Sequence, residues 1–139
     1  MRQPPIGTAH TVEIIVEERF TVPGLLPEIA SWSAMPPVLG TPMLVAFMEW
    51  SALEALAPYL DPGEHSLGVL VEMAHTAPTP VGGHVRATAT IAAVEGQQVE
   101  FAIVAYDETG VIGEGRHHRA VVDAARFERR LKRGRAPTI

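Results

Sequence analysis

A helix is predicted over residues 41–58, whose sequence, TPMLVAFMEWSALEALAP, is apolar on nearly every side. Thr41 is a good N-cap and Pro42 is favoured at the first helical position, so we expect the helix to begin there and to end near Pro58. A helix that is apolar all round has to be buried by other elements. The fold of this chain must therefore wrap around it.

Glu49 lies in the middle of this apolar helix. A carboxylate without a partner in such a place loses several kcal/mol through desolvation. We therefore expect another side chain to contact Glu49, and this contact to define its role. Glu54 lies about 140° further around the helix axis and can face water.

The length of 139 residues predicts one domain over residues 1–139, with residues 1–9 and 134–139 as flexible tails. Hydrophobic residues make up 47% of the chain, which is sufficient for a core, and the 19% of charged residues is too few for a disordered chain. The net charge of −5 argues against nucleic acid as a partner.

Basic residues are concentrated near the C-terminus, where segment 126–135 contains six of the eleven lysines and arginines. We interpret this segment as a solvated helix end, and the alternative is a contact for an anionic ligand or partner.

The chain contains no cysteine, which excludes disulfides and thiolate chemistry and suits a reducing compartment. Residues 1–7 contain no apolar signal core, and the longest apolar run is far shorter than the ~18 residues of a membrane span. We therefore expect a cytoplasmic protein that does not bind membranes.

Alternation of apolar and polar residues predicts five strands. The first covers residues 10–22 and ends at Pro23-Gly24. Irregular chain follows at residues 25–40, and a short basic helix is expected at 124–132. The other four strands are predicted at residues 66–76, 82–94, 98–106 and 111–122.

One strand, a long apolar helix and four antiparallel strands make an α+β layout. A sheet that curls around the helix would cover it, and this is the arrangement of the hotdog fold. One curled sheet leaves a sheet edge and a helix face open, so we expect a homodimer.

Thr41, Glu49 and His75 are the candidates for chemistry. Strand alternation places His75 on the same face as Val69 and Val71, toward the helix. A lone histidine on an apolar face is usually a core residue. A glutamate on the facing helix favours the other interpretation, because imidazole and carboxylate together form an orienter and a base.

Thr41 can cap the helix, and its hydroxyl can also lie at the mouth of a pocket beside helix N-terminal amides that hold an oxyanion. Glu49 follows eight residues later, about 80° around the axis after two full turns. The two residues are therefore not neighbours on one helix face, and a third element or another subunit would have to bridge them.

Metal binding is not expected. His117 and His118 are adjacent on a strand and should face opposite sides of the sheet, and the chain has neither cysteine nor an HExxH pattern. Dinucleotide, Walker and nucleophile-elbow motifs are also missing from the sequence. By its position alone, Arg119 is interpreted as a surface residue of the last strand.

Five separated motifs are found at residues 41–50, 57–64, 66–68, 75–80 and 113–120. Together they resemble the fluoroacetyl-CoA thioesterase family of hotdog proteins, over roughly residues 13–133. The resemblance implies that Thr41, Glu49 and His75 are the catalytic threonine, glutamate and histidine. It also implies that Gly68 lines the thioester site and that Arg119 lies near the active site.

The family resemblance implies an acyl-CoA thioesterase that uses no cofactor apart from the coenzyme A of its substrate. The two phenylalanines of the family's lid correspond to Trp32 and Met35 in this chain. Methionine packs less specifically than phenylalanine, so we expect short acyl groups in general as substrates, without strict fluoroacetyl selectivity.

Two other functions stay open at this point. One is a non-catalytic hotdog module that binds acyl-CoA or another small apolar ligand. The other is a hydratase of the same fold, which is disfavoured because residues 35–60 contain no aspartate.

Overall fold

The computed structural model describes residues 1–134, which form five strands and four α-helices. Single turns of 3-10 helix occur at Glu18–Phe20 and Ala57–Tyr59. In chain order the elements are β1 (Ala9–Ile15), α1 (Val22–Leu25), α2 (Ala30–Ser33), α3 (Thr41–Leu56), β2 (Glu64–His75), β3 (His84–Glu95), β4 (Gln98–Asp107), β5 (Gly110–Asp123) and α4 (Ala124–Lys132).

The five strands form one antiparallel sheet in the order β1-β3-β4-β5-β2. Helix α3 packs mainly on β3 and β1, and its buried side chains form the core together with the inward residues of the strands. This confirms the predicted α+β hotdog architecture. Fully buried core residues include Leu44, Ala52, Leu56, Val85, Ile91, Phe101 and Ile103.

The N-terminus of α3 differs from the prediction by one residue. Gly40 is the N-cap, and its carbonyl accepts hydrogen bonds from the amides of Met43 and Leu44. Thr41 is the first helical residue, and its side chain does not cap the helix. Its hydroxyl is therefore available for another partner.

The sheet covers only one face of α3, so the prediction that the helix is buried on all sides is wrong. Trp50 and Leu53 are exposed and lie on the face opposite the core. A single sheet can enclose only part of a helix, and in one chain the rest of its apolar surface stays open.

The first strand is shorter than predicted and ends at Ile15. Beyond it the amide of Val16 donates to the carbonyl of Gly83, and the chain then turns. Thr21 caps α1 by accepting a hydrogen bond from the amide of Gly24. Local turn chemistry replaces strand pairing in this region, although the residues have β propensity.

Residues 1–9, for which we predict a flexible tail, contact the fold at several points. The amide of Arg2 donates to the carbonyl of Tyr59, and Gly7 and Thr8 exchange backbone hydrogen bonds with Ile91. These contacts argue against a flexible tail. The predicted C-terminal tail lies outside the described residues from position 135 onward.

Strand β2 lies at one edge of the sheet and contains a β-bulge between Gly68 and Leu70. Beyond the bulge, Val71 and His75 face the helix side as predicted, opposite His117 and Gly113 of β5. Val69 lies within the bulge and has no register partner, and the bulge brings Gly68 to the helix side as well, contrary to simple alternation. Val69 is exposed, as is Val71, because no strand covers this edge in one chain.

Helix α4 begins at Ala124, as predicted, with Asp123 as its N-cap. Its basic residues are exposed, which agrees with a solvated helix end.

We expect Leu44→Ala to reduce the free energy of unfolding by about 2–5 kcal/mol, because it removes a fully buried side chain between α3 and the sheet. Urea denaturation measures this change. The matched control is Leu131→Ala on the exposed surface of α4, which should change stability by less than about 0.5 kcal/mol. Equal effects of the two substitutions would contradict this packing.

Candidate active site

Thr41 and His75 are brought together by the start of α3 and the end of β2. The Thr41 Oγ1 and His75 Nδ1 atoms are 2.8 Å apart, which is a hydrogen-bond distance. Thr41 is exposed and His75 is half-buried, so the pair lies at the surface of one chain. The two residues are 34 positions apart in sequence, so their contact depends on the tertiary fold.

Burial lowers the pKa of His75 below its usual 6.5, and the nearby backbone of Ala77 acts in the opposite direction. The imidazole is therefore neutral near pH 7 and has one nitrogen free to accept a proton. When Nδ1 accepts from the Thr41 hydroxyl, Nε2 has the proton. The Nε2 atom is buried and has no hydrogen-bond partner among residues 1–134. This arrangement can deprotonate a hydroxyl or a water.

Glu49 points to a different part of the site. Its Oε1 atom lies 3.3 Å from Nη1 of Arg119 and 3.6 Å from Nε2 of His117. Its side chain is 37% exposed, so the expectation of a deeply buried carboxylate is wrong within one chain. The expectation of a partner agrees with the structure, and the partner is an arginine. Within residues 1–134, neither Thr41 nor His75 is hydrogen-bonded or ion-paired to Glu49.

Arg119 is buried, with only 5% of its side chain exposed, and the interpretation as a surface residue is wrong. It projects from β5 toward α3, and all three of its guanidinium nitrogen atoms have partners. Nε donates to the hydroxyl of Ser66 at 2.9 Å, Nη2 to the carbonyl of Ser66 at 2.8 Å, and Nη1 to Glu49. Burial lowers the pKa of Arg119 and Glu49 raises it. The guanidinium nevertheless stays charged, since arginine is not deprotonated in proteins.

Gly68 lies directly beside the Glu49 carboxylate. It pairs with Arg119 across β2 and β5, and a Cβ at this position would collide with Oε1 of Glu49. The same Cβ would lie 3.0 Å from Cε1 of His117. Only glycine leaves room here for the carboxylate to approach the strand backbone.

Trp32 and Met35 lie in and just after α2, in the segment that leads to the start of α3. Trp32 is half-buried and Met35 is 49% exposed. Their proximity in sequence to Thr41 suits a lid, and the lid role stays a prediction.

Ser66 and His117 belong to the site and are not singled out by the sequence. The His117-His118 pair predicts that one histidine faces inward, but not which one. The strand register answers this, because His117 lies opposite Val71 on the helix side. Among residues 1–134, no group of three His, Asp or Glu side chains is arranged to hold a metal ion. Every helix in that part of the chain is too short or too polar to span a bilayer.

Comparison with known proteins identifies the family. A family model described as fluoroacetyl-CoA-specific thioesterase matches residues 26–125. The chain belongs to this thioesterase family. It is 38% identical over 127 residues to a fluoroacetyl-CoA thioesterase of Streptantibioticus cattleyicolor, and the match covers 91% of each chain.

Solved structures of the family and of its neighbours agree with the fold. A structure of the fluoroacetyl-CoA thioesterase FlK has a TM-score of 0.92 at 36% identity, covering 96% of this chain and 98% of that chain. A hypothetical protein of Thermus thermophilus described as a thioesterase superfamily member has a TM-score of 0.87 at 30% identity, covering 96% and 94%.

The comparisons confirm the predicted family and the class of thioester hydrolase. A thioester hydrolase is therefore preferred over the two alternatives, a non-catalytic binding module and a hydratase.

The lowered pKa values of two histidines predict that acid destabilises the protein. Burial lowers the pKa of both His75 and His117 below 6.5, so the unfolded chain binds more protons than the folded one as pH falls below this value. Stability is therefore complete above about pH 6.5 and decreases toward lower pH.

We expect urea denaturation between about pH 7.5 and pH 5.5 to show this loss, and to show a smaller loss for His117→Gln, which cannot be protonated. The same pH dependence in the parent and in the variant would contradict the assignment to His117.

Proposed function

We propose that the protein hydrolyses short-chain acyl-CoA thioesters to the free acid and coenzyme A, with Thr41, His75 and Glu49 as the catalytic residues. The observation that supports this site most directly is the 2.8 Å contact between Thr41 Oγ1 and His75 Nδ1. Coenzyme A enters as part of the substrate, and the chemistry requires no other cofactor.

His75 is the general base in this mechanism. Its neutral imidazole takes a proton from the Thr41 hydroxyl, or from a water in the same place, and the oxygen attacks the thioester carbonyl carbon. The carbon–sulfur bond then breaks, and the imidazolium returns the proton to the leaving thiolate. If Thr41 is the nucleophile, a water repeats the cycle on the acyl-threonine and releases the acid.

Backbone amides are suitable to stabilise the oxyanion. Thr41 begins α3, where the first-turn amides and the helix dipole favour negative charge. Gly68 offers a second position, since it has no side chain and lies beside Glu49. Both places adjoin proposed catalytic side chains.

Glu49 completes the site from a second copy of the chain. Within one chain, Glu49 faces Arg119. The Nε2 atom of His75 is buried and has no hydrogen-bond partner among residues 1–134. The edge strand β2 exposes Val69 and Val71, and α3 exposes Trp50. A homodimer in which two β2 strands pair antiparallel would cover these groups.

The register of such a pairing brings the two halves of the site together. If the two-fold axis lies near Val71, the bulge shifts the pairing by one residue, and His75 lies opposite the part of the partner strand that contains the glycine at 68 beside Glu49. Thr41 and His75 of one protomer would then face Glu49 of the partner subunit. Arg119 would hold that carboxylate in place through its Nη1 hydrogen bond.

The acyl group would lie between the Thr41–His75 pair and the segment that contains Trp32 and Met35. A flexible methionine gives a deformable wall, which suits acetyl, propionyl and similar groups. Such a substrate would be met in the cytoplasm, which is the location we propose.

Thiol release from a panel of acyl-CoAs tests the activity. We expect acetyl-, propionyl- and fluoroacetyl-CoA to be hydrolysed within about a hundredfold of one another in kcat/KM, because one methylene in an apolar pocket changes the rate only modestly. His75→Ala should reduce kcat roughly 100-fold or more while leaving KM similar. A stronger preference for fluoroacetyl-CoA would show that the lid is selective. An unchanged kcat in His75→Ala would exclude the histidine as the base.

Mixed dimers test whether the site is shared. His75→Ala and Glu49→Gln subunits should each be inactive alone, but one site of their heterodimer would have His75 from one subunit and Glu49 from the other. A random mixture of the two should therefore recover about one quarter of the parental activity. Sites contained within single protomers would recover none. Analytical ultracentrifugation of the same samples should show dimers, and a monomer would refute the shared site.

A further inference from the structure

We propose that His117 is a positioning residue that, in its neutral form, directs Arg119 toward Glu49. This inference rests on the catalytic role of Glu49 proposed above, and it assigns a function to a residue outside the proposed catalytic three. The structural basis is a chain of contacts that runs from the carbonyl of Leu70 through His117 and Arg119 to Glu49.

The contacts of the imidazole determine its tautomer. Nδ1 of His117 lies 2.8 Å from the carbonyl oxygen of Leu70, which can only accept, so Nδ1 has the proton. Nε2 lies 3.0 Å from Nη1 of Arg119, which can only donate, so Nε2 presents a lone pair. Both neighbours are therefore satisfied only by a neutral imidazole.

The β-bulge of β2 provides the acceptor for this histidine. Leu70 is the first paired residue after the bulge, and its carbonyl faces the His117 ring although the two residues are not register partners. The ring is almost fully buried, and it lies near Phe101, with ring centroids 6.4 Å apart. This environment leaves the imidazole little freedom to rotate.

Ser66, His117 and Glu49 all accept hydrogen bonds from the guanidinium of Arg119. Ser66 accepts from Nε and Nη2 and so sets the plane of the group. Nη1 has two hydrogens, and His117 accepts one of them, which leaves the other for Glu49. Arginine donors have a fixed planar geometry, so these contacts specify where the carboxylate is held.

A protonated His117 would reverse this arrangement. The new Nε2 proton would face the Nη1 donor of Arg119, which also has a positive charge, and it would compete for Oε1 of Glu49 only 3.6 Å away. Glu49 would then be drawn toward the histidine. The charged and titratable groups around the ring are Glu49 on α3, Arg119 on the same strand, and His118, whose side chain lies on the other sheet face.

Kinetics of three variants tests the positioning role. His117→Leu removes the acceptor for Arg119, and we expect kcat for acetyl-CoA to fall roughly 10- to 100-fold with KM changed less than about threefold. His117→Gln keeps an acceptor on a side chain of similar length and should stay within about fivefold of the parent. His118→Gln is the matched control, because it changes the same residue type on the outer face and should leave kcat unchanged.

A direct measurement of the tautomer accompanies the kinetics. Long-range ¹H–¹⁵N NMR of the parent near pH 7 should show His117 as the neutral Nδ1–H tautomer. This readout does not depend on a variant that folds poorly or on turnover. An Nε2–H tautomer or an imidazolium would overturn the proposal, as would a parental kcat in folded His117→Leu.

The Glu49→Gln variant separates a failure of the proposed role of Glu49 from a failure of the proposed role of His117. If Glu49→Gln retained the parental kcat, the proposed role of Glu49 would be lost, and with it any kinetic effect transmitted through Arg119. If Glu49→Gln is inactive, and both His117→Leu and His117→Gln are impaired to the same extent, the acceptor is not what matters and the positioning role of His117 is excluded.

Discussion

The packing of one face of α3 against a single curled sheet is the contact on which the rest of the structure depends. It places the first residue of the helix beside the last residue of β2, and it places the middle of the helix beside β5. The two regions of the candidate site are thus fixed by the same interface, although they lie at different positions along the helix. The face that remains open, with Trp50 and Leu53, is the part of the helix that one sheet cannot reach.

Electrostatics within the site is arranged around one buried cation. Arg119 is surrounded by oxygen atoms from Ser66 and Glu49 and by the lone pair of His117, so its charge is compensated without bulk water. His75 at the other end of β2 is partly buried, which lowers its pKa and favours the neutral imidazole. One fold thereby contains a carboxylate paired with arginine and a neutral imidazole in separate parts of the site.

The sequence predicted much of this, and the failures have physical reasons. The apolar segment from residue 41 identified α3, and alternation placed His75 on its side of β2. The partner of Glu49 was not predicted, because periodicity cannot reveal which strands are adjacent in the sheet or how they are registered. The bulge after Gly68 and the edge position of β2 are likewise tertiary properties. They determine that Arg119 is buried and that Val69 is exposed, contrary to the pattern of the isolated strand.

The pairing of Gly68 with Arg119 also has a consequence for assembly of the sheet. A slip of β5 by one residue would turn Arg119 to the outer face and bring His118 and Ala120 inward, leaving the carbonyl of Ser66 and the Glu49 carboxylate without their cation. A misregistered sheet is therefore destabilised, because buried polar groups of the candidate site lose their partners. These polar contacts favour one register of β5 on β2, and substitutions that weaken them would broaden the ensemble of strand registers.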